Sequence, residues 1–467
     1  MEHAQPSSRR QFLKLSGLAG AASILPGCSK VANTEVKPVG QAKNVIYLMV
    51  DGLCNGTVGL AHHWQLRHKA TPLNWMQLFE HEGLHRAYQD TASANSPVTD
   101  SAAAASAWGS GQRVNNGSIN VDPFGKSLKP ILSYAKEAGK ATGLVTSCRI
   151  THATPAGFST SVPKRGMEDA IAQQYLEREI DVLLGGGARH FLQTQEDGSV
   201  IDYIPQFEAK GYQIVKTASE LSAVRGSGSL LGLFSQSHIP YAIDRQNDRA
   251  YKDVPNLVDM FRAALNQLEG MKDGFVLQVE GGRVDHAGHG NDAGCILHEF
   301  LEFDACIPIA LEFIESHPDT MLVVTTDHGT GGCQLDGAGS AYLDSGPALD
   351  RINQLRHSFE WLQQGFEATG KFDPVLLKTA LGIDPTDTQA AIVQAALDAE
   401  VQYLSGALNQ AFGKQLKELT AVGWTSDKHT SECVELFAFG PGSEAIPTLI
   451  KNYEIFGILT KALGIKV

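Results

Sequence analysis

The chain has 467 residues, a formal net charge of −13 at pH 7, and 43% hydrophobic against 19% charged residues. This length is sufficient to bury a large hydrophobic core, and the excess of acidic residues argues against a nucleic acid partner, because phosphate backbones attract basic surfaces. Seven cysteines are scattered along the chain without a CxxC pair, which excludes a disulfide-rich scaffold.

The N-terminus has the pattern of an export signal. Arg9 and Arg10 form a twin-arginine pair, and a mildly apolar run from Leu15 to Leu25 follows them. This run is too short and too rich in glycine and alanine to span a bilayer as a stable helix. We therefore expect residues 1–27 to be a signal of the twin-arginine type rather than part of the fold.

The signal ends in Leu25-Pro26-Gly27-Cys28, which resembles a bacterial lipoprotein cleavage box. Two alternatives follow, since Cys28 either carries a lipid anchor or the protein is released without one. In both cases we expect a mature protein in the periplasm or cell envelope, with a polar tether over residues 28–43. Removing residues 1–27 leaves a net charge of about −15. No later stretch has the pattern of a transmembrane helix.

From about residue 44 the chain alternates apolar, strand-like runs with helix-like segments. The predicted strands are 44–50, 142–146, 181–184, 275–279, 321–326 and 436–439. The predicted helices are 132–138, 167–179, 256–268 and 297–315. Such alternation predicts an α/β domain with a large, mostly parallel central sheet.

One stretch combines a hydroxyl and a carboxylate with a run of very small residues. Asp100 and Ser101 directly precede Ala102-Ala103-Ala104-Ala105, and alanine is the best helix former. Ser101 is therefore expected at a helix start, where unpaired N–H groups and the helix dipole attract anions. Taken alone, the stretch fits an ordinary helix cap at least as well as a nucleophile.

Three predicted strands end in a carboxylate, namely Asp51, Glu280 and Asp327. In open α/β sheets the active site lies beyond the carboxyl ends of the strands, so these acids are expected to converge. Each acid alone is also compatible with a turn or a cap. Together they predict a metal site.

Histidines add to this prediction. Asp285 and His289 are four residues apart, so a single turn places both on one face. Asp327 is followed by His328, and His429 supplies a further imidazole. Aspartate with histidine is a normal zinc ligand pair. We interpret the isolated histidines His62, His63 and His298 as structural.

Residues 334–425 differ in character from the rest of the chain, because they are polar and rich in helix-like patterns. We interpret them as a helical insertion packed beside the core of a catalytic domain that covers residues 44–467. A lid, a rim and an oligomer contact are alternative roles for this insertion.

Together these motifs resemble the alkaline phosphatase family in order and spacing. The matching motifs are Asp51-Gly52, Thr99-Asp100-Ser101-Ala102, His152-Ala153-Thr154-Pro155, Glu280-Gly281-Gly282, Asp285 with His289, Asp327-His328, and His429. The resemblance runs from about residue 44 to the C-terminus, apart from the insertion. It implies a three-layer α/β sandwich and the hydrolysis of small phosphate monoesters through a phosphoserine intermediate, with two zinc ions and one magnesium ion.

The resemblance also implies a role for each matching residue. Ser101 corresponds to the nucleophile, and Arg165 corresponds to the arginine that clamps the phosphate, with Asp100 in a position to orient it. Asp285, His289 and His429 correspond to the first zinc site, and Asp51, Asp327 and His328, together with Ser101, to the second. Asp51, Thr154 and Glu280 correspond to the magnesium site, with His152 beside it.

Departures from the family pattern are few. Val50, Cys54 and Ser106 stand where the family usually has Gly, Met and Thr, and none of them is a ligand. His152 occupies a position that is Asp in some relatives, and an imidazole there favours a softer metal.

Two other function classes stay open at this point. A phosphodiesterase or a sulfatase on the same fold is one, although Cys148-Arg149-Ile150-Thr151 does not match the C/S-x-P-x-R pattern of sulfatases. A non-catalytic lipoprotein that binds metal or phosphate is the other. A homodimer is one alternative for the assembly of the chain.

Overall fold

The computed structural model describes residues 41–194 and 197–467, and it is built around a ten-stranded sheet. The predicted signal and most of the predicted tether, including Cys28, lie outside the described residues. In chain order the strands of this sheet are β1 (Asn44–Val50), β2 (His85–Asp90), β3 (Ala141–Arg149), β4 (Val182–Gly186), β5 (Gln213–Val215), β6 (Leu230–Leu233), β7 (Phe275–Gly281), β8 (Thr320–Thr326), β9 (Val434–Phe439) and β10 (Leu449–Lys451).

The order of the strands across the sheet is β10-β2-β9-β8-β1-β7-β3-β4-β6-β5. All neighbours are parallel except β9, which runs antiparallel to both β8 and β2. The prediction of a large, mostly parallel sheet is therefore confirmed.

Strand β1 shows why the sheet is covered on both sides. Every residue of this strand is buried. Ile46 and Leu48 pack into one hydrophobic cluster, while Val45 and Tyr47 pack into a second. Because successive side chains of a strand point to opposite faces, the two clusters lie on opposite faces of the sheet. A continuous apolar run is typical of a parallel strand between two helical layers.

Helices form these two layers. In the first part of the chain they are Asn55–Lys69, Asn74–Gln77, Ser101–Ser110, Ile131–Glu137, Ala153–Ser159, Glu168–Arg178, Ile204–Ala209, Ala218–Ala223, Ala242–Asn247 and Leu257–Leu268. Farther along they are Arg283–Gly290, Ala293–Asp304, Ile307–Ser316, Ser345–Arg351, Phe359–Thr369, Pro374–Leu381, Asp387–Asp398, Ser405–Thr420 and Glu454–Ala462. None of the helices within the described residues is long and apolar enough to traverse a membrane.

One predicted helix is wrong as a single element. The segment predicted as one helix over 297–315 consists of two, Ala293–Asp304 and Ile307–Ser316. The second helix has a proline in its first turn, Pro308, and proline cannot donate the hydrogen bond that a continuous helix would require there. The apolar periodicity persists across the break, so the pattern alone did not reveal it.

The polar region predicted over 334–425 leaves and rejoins the body through a pair of two-residue strands. Gln334–Leu335 pairs antiparallel with Val422–Gly423. Five helices lie between these strands, from Ser345 to Thr420. We call residues 345–420 the helical segment.

The helix that begins at Ser101 is packed unusually closely against Ala153–Ser159. A Cβ atom added at Gly109 would lie 2.0 Å from the carbonyl oxygen of Gly157, and one added at Gly157 would lie 2.5 Å from the Ala105 Cβ. Small residues on both helices therefore set the separation of the two elements that carry Ser101 and Thr154.

We expect Gly109→Ala to destabilise the protein, because the new methyl group overlaps backbone that cannot move aside. Overpacking of this kind costs about 1–3 kcal/mol. Gly59→Ala is the matched control, since it also lies in a helix but a Cβ there meets no atom within 4 Å. That variant is expected to keep or raise the thermal midpoint, because alanine is the better helix former. Equal midpoints in differential scanning calorimetry would contradict the packing argument.

Candidate active site

Three neighbouring strands bring three buried carboxylates to one edge of the sheet. Asp51 follows β1, Glu280 lies near the end of β7, and Asp327 follows β8. β1 lies between the other two strands, and all three run parallel. The three side chains are fully buried. The structure therefore brings these acids together as the sequence predicted.

The first group of candidate ligands contains Asp51, Asp327 and His328, whose ligand atoms all lie within 4.8 Å of one another. The Nε2 atom of His328 lies 3.2 Å from Asp327 Oδ2 and 3.6 Å from Asp51 Oδ1. The other carboxylate oxygen of Asp327 accepts hydrogen bonds from the backbone N–H groups of Gly52 and His328. These contacts leave one oxygen of Asp327 directed at the group.

Gly52 has to be glycine for the turn after β1 to pack against the helix that carries Asp285. Its φ of +77° lies in the left-handed region, and a Cβ there would lie 2.6 Å from the Cα of Asp285. The turn after β1 can therefore approach the helix Arg283–Gly290 closely.

Asp285, His289 and His429 form the second group, again within 4.8 Å of one another. Asp285 and His289 share one face of the helix Arg283–Gly290. His429 arrives on a two-residue strand in which it pairs with Thr330, three residues after Asp327. Two segments distant in sequence thus complete one group.

The hydrogen bonds of the two histidines fix which ring nitrogen faces the group. The Nδ1 atom of His289 lies 2.6 Å from the Asp427 carbonyl oxygen, and that of His429 lies 2.8 Å from the Thr99 carbonyl oxygen. A carbonyl only accepts, so each Nδ1 carries the proton and each Nε2 presents a lone pair. The two Nε2 atoms lie 3.0 Å apart, and each of them lies 3.5 Å from Asp285 Oδ1.

A third group consists of Asp51, His152 and Glu280, whose ligand atoms again lie within 4.8 Å of one another. Asp51 is shared with the first group, so it bridges the two. Glu280 accepts a hydrogen bond from Thr146 through Oε2 at 2.5 Å, which leaves Oε1 for the group. Thr154, also fully buried, follows His152 on the helix Ala153–Ser159.

These groups contain an unusual number of buried polar atoms without a hydrogen-bond partner. Half of the fourteen such atoms among the described residues belong to them. They are Asp51 Oδ1 and Oδ2, His152 Nδ1, Thr154 Oγ1, Glu280 Oε1, Asp327 Oδ2 and His328 Nε2. Leaving buried polar atoms unpaired is costly. The residues therefore fit bound metal ions, which would satisfy the oxygen and nitrogen lone pairs together.

Burial and mutual repulsion shift the pKa values of these carboxyl groups. Burial, reinforced by Asp327 and Asp285, raises the pKa of Asp51 well above its usual range. Burial raises the pKa of Glu280 to about 7 and, together with Asp285, that of Asp327 to about 8. Asp285 differs: burial acts to raise its pKa, but the surrounding histidines lower it well below the usual range.

Ser101 is the first residue of the helix Ser101–Ser110, as the alanine run predicted. Asp100 caps this helix, since its Oδ1 accepts a hydrogen bond from the Ala103 N–H at 2.9 Å. The Ser101 side chain is nearly fully buried and lines a cavity of about 620 Å³. Asp285, His289 and His429 line the same cavity.

Arg165 connects the serine end of the cavity to the third group. Its Nη1 atom donates to Asp100 Oδ2 at 3.2 Å, and its Nη2 atom lies 3.0 Å from His152 Nε2. Asp100 therefore both caps the serine helix and orients the arginine. The residues predicted from the sequence thus lie in, or directly behind, one cavity.

Sequence reasoning missed a set of residues on the remaining walls. Besides the predicted residues, the cavity is lined by Arg149, His238, Tyr241, Arg283, His286, Phe359, Glu360, Gln363 and Tyr403, among others. The last four belong to the helical segment. Arg283 and His286 flank the predicted ligand Asp285 in sequence, and that proximity was the one signal available.

Comparisons with known proteins agree with the geometry of the site. A family model described as alkaline phosphatase matches residues 42–465. Alkaline phosphatase 3 of Bacillus subtilis (strain 168) is 33% identical over 467 residues, covering 97% of each chain.

Solved structures agree. Alkaline phosphatase from Thermus thermophilus superposes with a TM-score of 0.84 at 34% identity, covering 95% of this chain and 96% of that one. A cold-active alkaline phosphatase from the psychrophile Shewanella sp. has a TM-score of 0.74 at 29% identity, covering 90% and 99%.

The raised carboxyl pKa values predict how metal removal changes the pH dependence of stability. Metal-free native protein retains protons on Glu280 and Asp327 that the unfolded chain releases near its ordinary pKa of about 4. Stability therefore falls as pH rises from about 4 towards 8, by about 1.4 kcal/mol for each unit of raised pKa. Metal-loaded protein lacks this loss, because cations favour the ionised carboxylates.

The measurement is the free energy of unfolding between pH 5 and 8, with and without chelator. Other buried carboxyl groups with raised pKa values, such as Glu299 and Asp304, contribute to both curves and cancel in the difference. Asp285 adds no slope in this window, because a carboxyl with a lowered pKa is ionised in both states above its unfolded value. Parallel curves for the two forms would contradict the assignment of these groups as metal ligands.

Proposed function

The chain belongs to the alkaline phosphatase family, and from that premise we propose that it hydrolyses phosphate monoesters through a phosphoserine intermediate on Ser101. The protein is a phosphatase, and the family is metal-dependent. The proposal concerns the residues, the intermediate and the metals. Family membership also separates this function from that of a non-catalytic lipoprotein, which the sequence alone left open.

We propose two zinc ions and one magnesium ion as the metals. Asp285, His289 and His429 would hold one zinc ion, and Asp51, Asp327 and His328 the other, beside Ser101. Asp51, Thr154 and Glu280 would hold the magnesium ion, with His152 next to them. When bound, such cations supply positive charge that favours ionised oxygens on the nucleophile and the leaving group.

One observation carries this proposal. Two imidazole lone pairs face each other at 3.0 Å beside the Asp285 carboxylate, with both tautomers fixed from behind by backbone carbonyls. Carbonyl or carboxylate partners behind a ring are typical of metal-ligating histidines. A structural histidine pair would not need two converging lone pairs, whereas a cation would occupy the space between them.

Ser101 is suited to attack the phosphorus atom. Its Oγ forms a bond to phosphorus, the ester P–O bond breaks, and the leaving alkoxide takes a proton from water while the serine proton passes to solvent. Water then hydrolyses the phosphoserine and releases inorganic phosphate. The helix N-terminus contributes N–H groups and a partial positive charge to the phosphoryl oxygens.

Arg165 is suited to hold the phosphoryl group during both steps. A guanidinium presents a planar fork of donors that matches two oxygens at once. Burial acts to lower the pKa of Arg165, but Asp100 raises it above its ordinary value, so the side chain stays charged. Its contacts with Asp100 and His152 fix the plane of the fork.

The identity of the third metal is the finest part of the proposal. A ring nitrogen of His152 lies within 4.8 Å of carboxylate oxygens of Asp51 and Glu280. An imidazole favours a metal softer than magnesium. Elemental analysis of protein loaded in zinc and magnesium together would decide between the two, since zinc at this position would leave each chain without its one magnesium ion.

We propose that the mature protein is exported to the periplasm or cell envelope by the twin-arginine route, with a lipid anchor on Cys28. A homodimer is proposed on family resemblance alone. We expect Arg9→Lys with Arg10→Lys to block export, and Cys28→Ser to move the mature protein from the membrane fraction to the soluble fraction. Fractionation and immunoblotting test both. Retention of Cys28→Ser in the membrane fraction would overturn the anchor and leave the export signal.

Substitution of the nucleophile provides the most direct test of the mechanism. We expect Ser101→Ala to abolish the phosphoenzyme that acid quenching traps in the parent protein, while metal content and fold persist. Ser110→Ala, at the far end of the same helix, is the matched control and should trap normally. Phosphoenzyme in Ser101→Ala, detected by mass spectrometry of peptides, would move the nucleophile elsewhere, with Thr99 the next candidate.

Arg165 should distinguish monoesters from diesters. A monoester carries three non-bridging oxygens, and a diester has one of them blocked. We expect Arg165→Ala to raise the free-energy barrier for nitrophenyl phosphate by about 2–4 kcal/mol, which lowers kcat/KM roughly 30- to 1000-fold. The loss on a bis-nitrophenyl diester should be much smaller. The adjacent, exposed Lys164→Ala is the control. Equal losses on the two substrates would contradict the clamp and would favour a phosphodiesterase.

A further inference from the structure

A fourth group of candidate ligands lies outside the three already described. It consists of Cys148, His238 and His286, whose ligand atoms all lie within 4.8 Å of one another. Cys148 is on β3, His238 is in the loop after β6, and His286 is on the helix Arg283–Gly290. Three separate elements therefore bring a thiol and two imidazoles to one point. The proposed phosphatase mechanism uses none of these side chains.

The thiol of the group is enclosed, and the two histidines are partly exposed. Cys148 is fully buried, and the ring centroids of His238 and His286 are 4.5 Å apart with the rings at 73°. Gly282 makes room for the thiol, because a Cβ at that position would lie 2.7 Å from Cys148 Sγ. That same Cβ would lie 2.9 Å from Glu280 Oε1, so the thiol lies beside the third group without belonging to it.

Each imidazole has a lone pair on the ring nitrogen that faces an arginine. The Nδ1 atom of His286 lies 2.9 Å from Arg283 Nη1, and the Nε2 atom of His238 contacts Arg149 Nη1. A guanidinium has donors only, so the ring nitrogens that face it are acceptors. Neutral imidazole, the form that can accept such a hydrogen bond, is also the form that binds metals.

The two arginines do not exclude a cation, because each is already paired with a carboxylate. Arg149 donates to Glu168 through Nε and Nη2, at distances down to 2.6 Å. Arg283 donates to Glu360 through Nη2 at 2.8 Å. A cation at these ring nitrogens therefore competes with the Nη1 contact of each guanidinium and not with its carboxylate partner. The Nδ1 atom of His238 also accepts a hydrogen bond from the Arg149 backbone N–H at 3.3 Å.

The donor set selects the class of ion. One sulfur and two imidazole nitrogens suit zinc or another thiophilic cation, whereas magnesium and calcium require oxygen ligands. Burial, followed by the charge of Glu280, raises the pKa of the Cys148 thiol, so the metal-free thiol keeps its proton. Metal binding would release that proton to solvent and place a thiolate against the cation.

We propose that Cys148, His238 and His286 form a fourth metal site, which takes Zn²⁺ or a similar thiophilic divalent cation. The site adjoins the catalytic cavity, which both histidines line. It also differs from the other three groups in having a sulfur ligand, and this difference provides the test.

The experiment uses Co²⁺ as the probe, titrated into the metal-free full-length protein. A cobalt–thiolate bond gives a charge-transfer absorption band in the near ultraviolet, and the three catalytic groups contain no cysteine to produce one. We expect this band in the parent protein and its loss in Cys148→Ser. Cys433→Ser removes the exposed cysteine and Cys306→Ser a distant buried one, so both controls should retain the band.

Two further measurements keep the test decisive. If Cys148→Ser does not fold, His238→Ala alters a partly exposed loop residue and should weaken or shift the same band. Elemental analysis after dialysis against Zn²⁺ should give one equivalent fewer in either variant than in the parent protein. Absence of the band in the parent, or its persistence in Cys148→Ser, would overturn the proposal and show that the arginines keep these lone pairs.

The outcome is independent of the phosphatase mechanism. Failure of the fourth site would leave phosphoenzyme formation on Ser101 unchanged. Conversely, if Asp51, Asp285 and their partners bound no metal, the three-metal assignment would be wrong and the proposed activity would be absent. The cobalt–thiolate band would still persist.

Discussion

The constraint on which the structure depends is the crowding of four buried carboxylates at the ends of three adjacent parallel strands and in the helix that follows one of them. At an effective dielectric of about 20, two such charges about 4 Å apart repel by about 4 kcal/mol. Asp51 meets this repulsion from three sides, from Asp285, Asp327 and Glu280. Neither hydrogen bonds nor solvent relieve it, because its two oxygens are buried and unpaired. Protons or cations at the centre would relieve this repulsion.

The rest of the fold limits how the centre can relax. β1 is buried on both faces and is paired on both edges from Val45 to Val50, which restrains the position of Asp51. Gly52 turns in the left-handed region against the backbone of Asp285, which fixes the approach of the ligand helix. The histidines are fixed from behind by carbonyl groups. This rigidity would also hold the ligands of any bound metal in a defined arrangement.

Much of this arrangement was predictable from the sequence, for a definite reason. Parallel strands deliver their terminal residues to one edge, so apolar runs ending in Asp51, Glu280 and Asp327 were sufficient to predict convergence, and the alanine run was sufficient to predict a helix at Ser101. The second ligand group needed the family resemblance, because His429 reaches the site through a two-residue strand that has no periodicity.

Other features were beyond sequence reasoning on physical grounds. In strand β2 only Ala87 and Tyr88 are apolar, and β5 and β10 have three residues each, so none of them stands out as an apolar run. The break between the helices Ala293–Asp304 and Ile307–Ser316 was hidden by continuous periodicity. The group formed by Cys148, His238 and His286 depends on three loops and elements meeting in space, which spacing along the chain does not encode.

The helical segment forms one wall of the cavity. Asp292, just after the ligand helix, accepts a hydrogen bond from the Phe359 N–H, and Asn409 donates to the Gly290 carbonyl. Glu360 holds Arg283, which stacks on the Tyr241 ring at 3.6 Å. The segment is thus attached to the helix that carries Asp285 and His289.

This attachment brings two sets of residues to one cavity. The first set is the strand-end residues, which belong to the groups of candidate metal ligands. Phe359, Gln363 and Tyr403 of the helical segment line the same cavity and take no part in the groups of metal ligands. Tyr241 and Lys428 line the cavity from outside the segment. The cavity therefore combines the edge of the sheet, where the candidate metal ligands lie, with side chains of the helical segment that lie outside those groups.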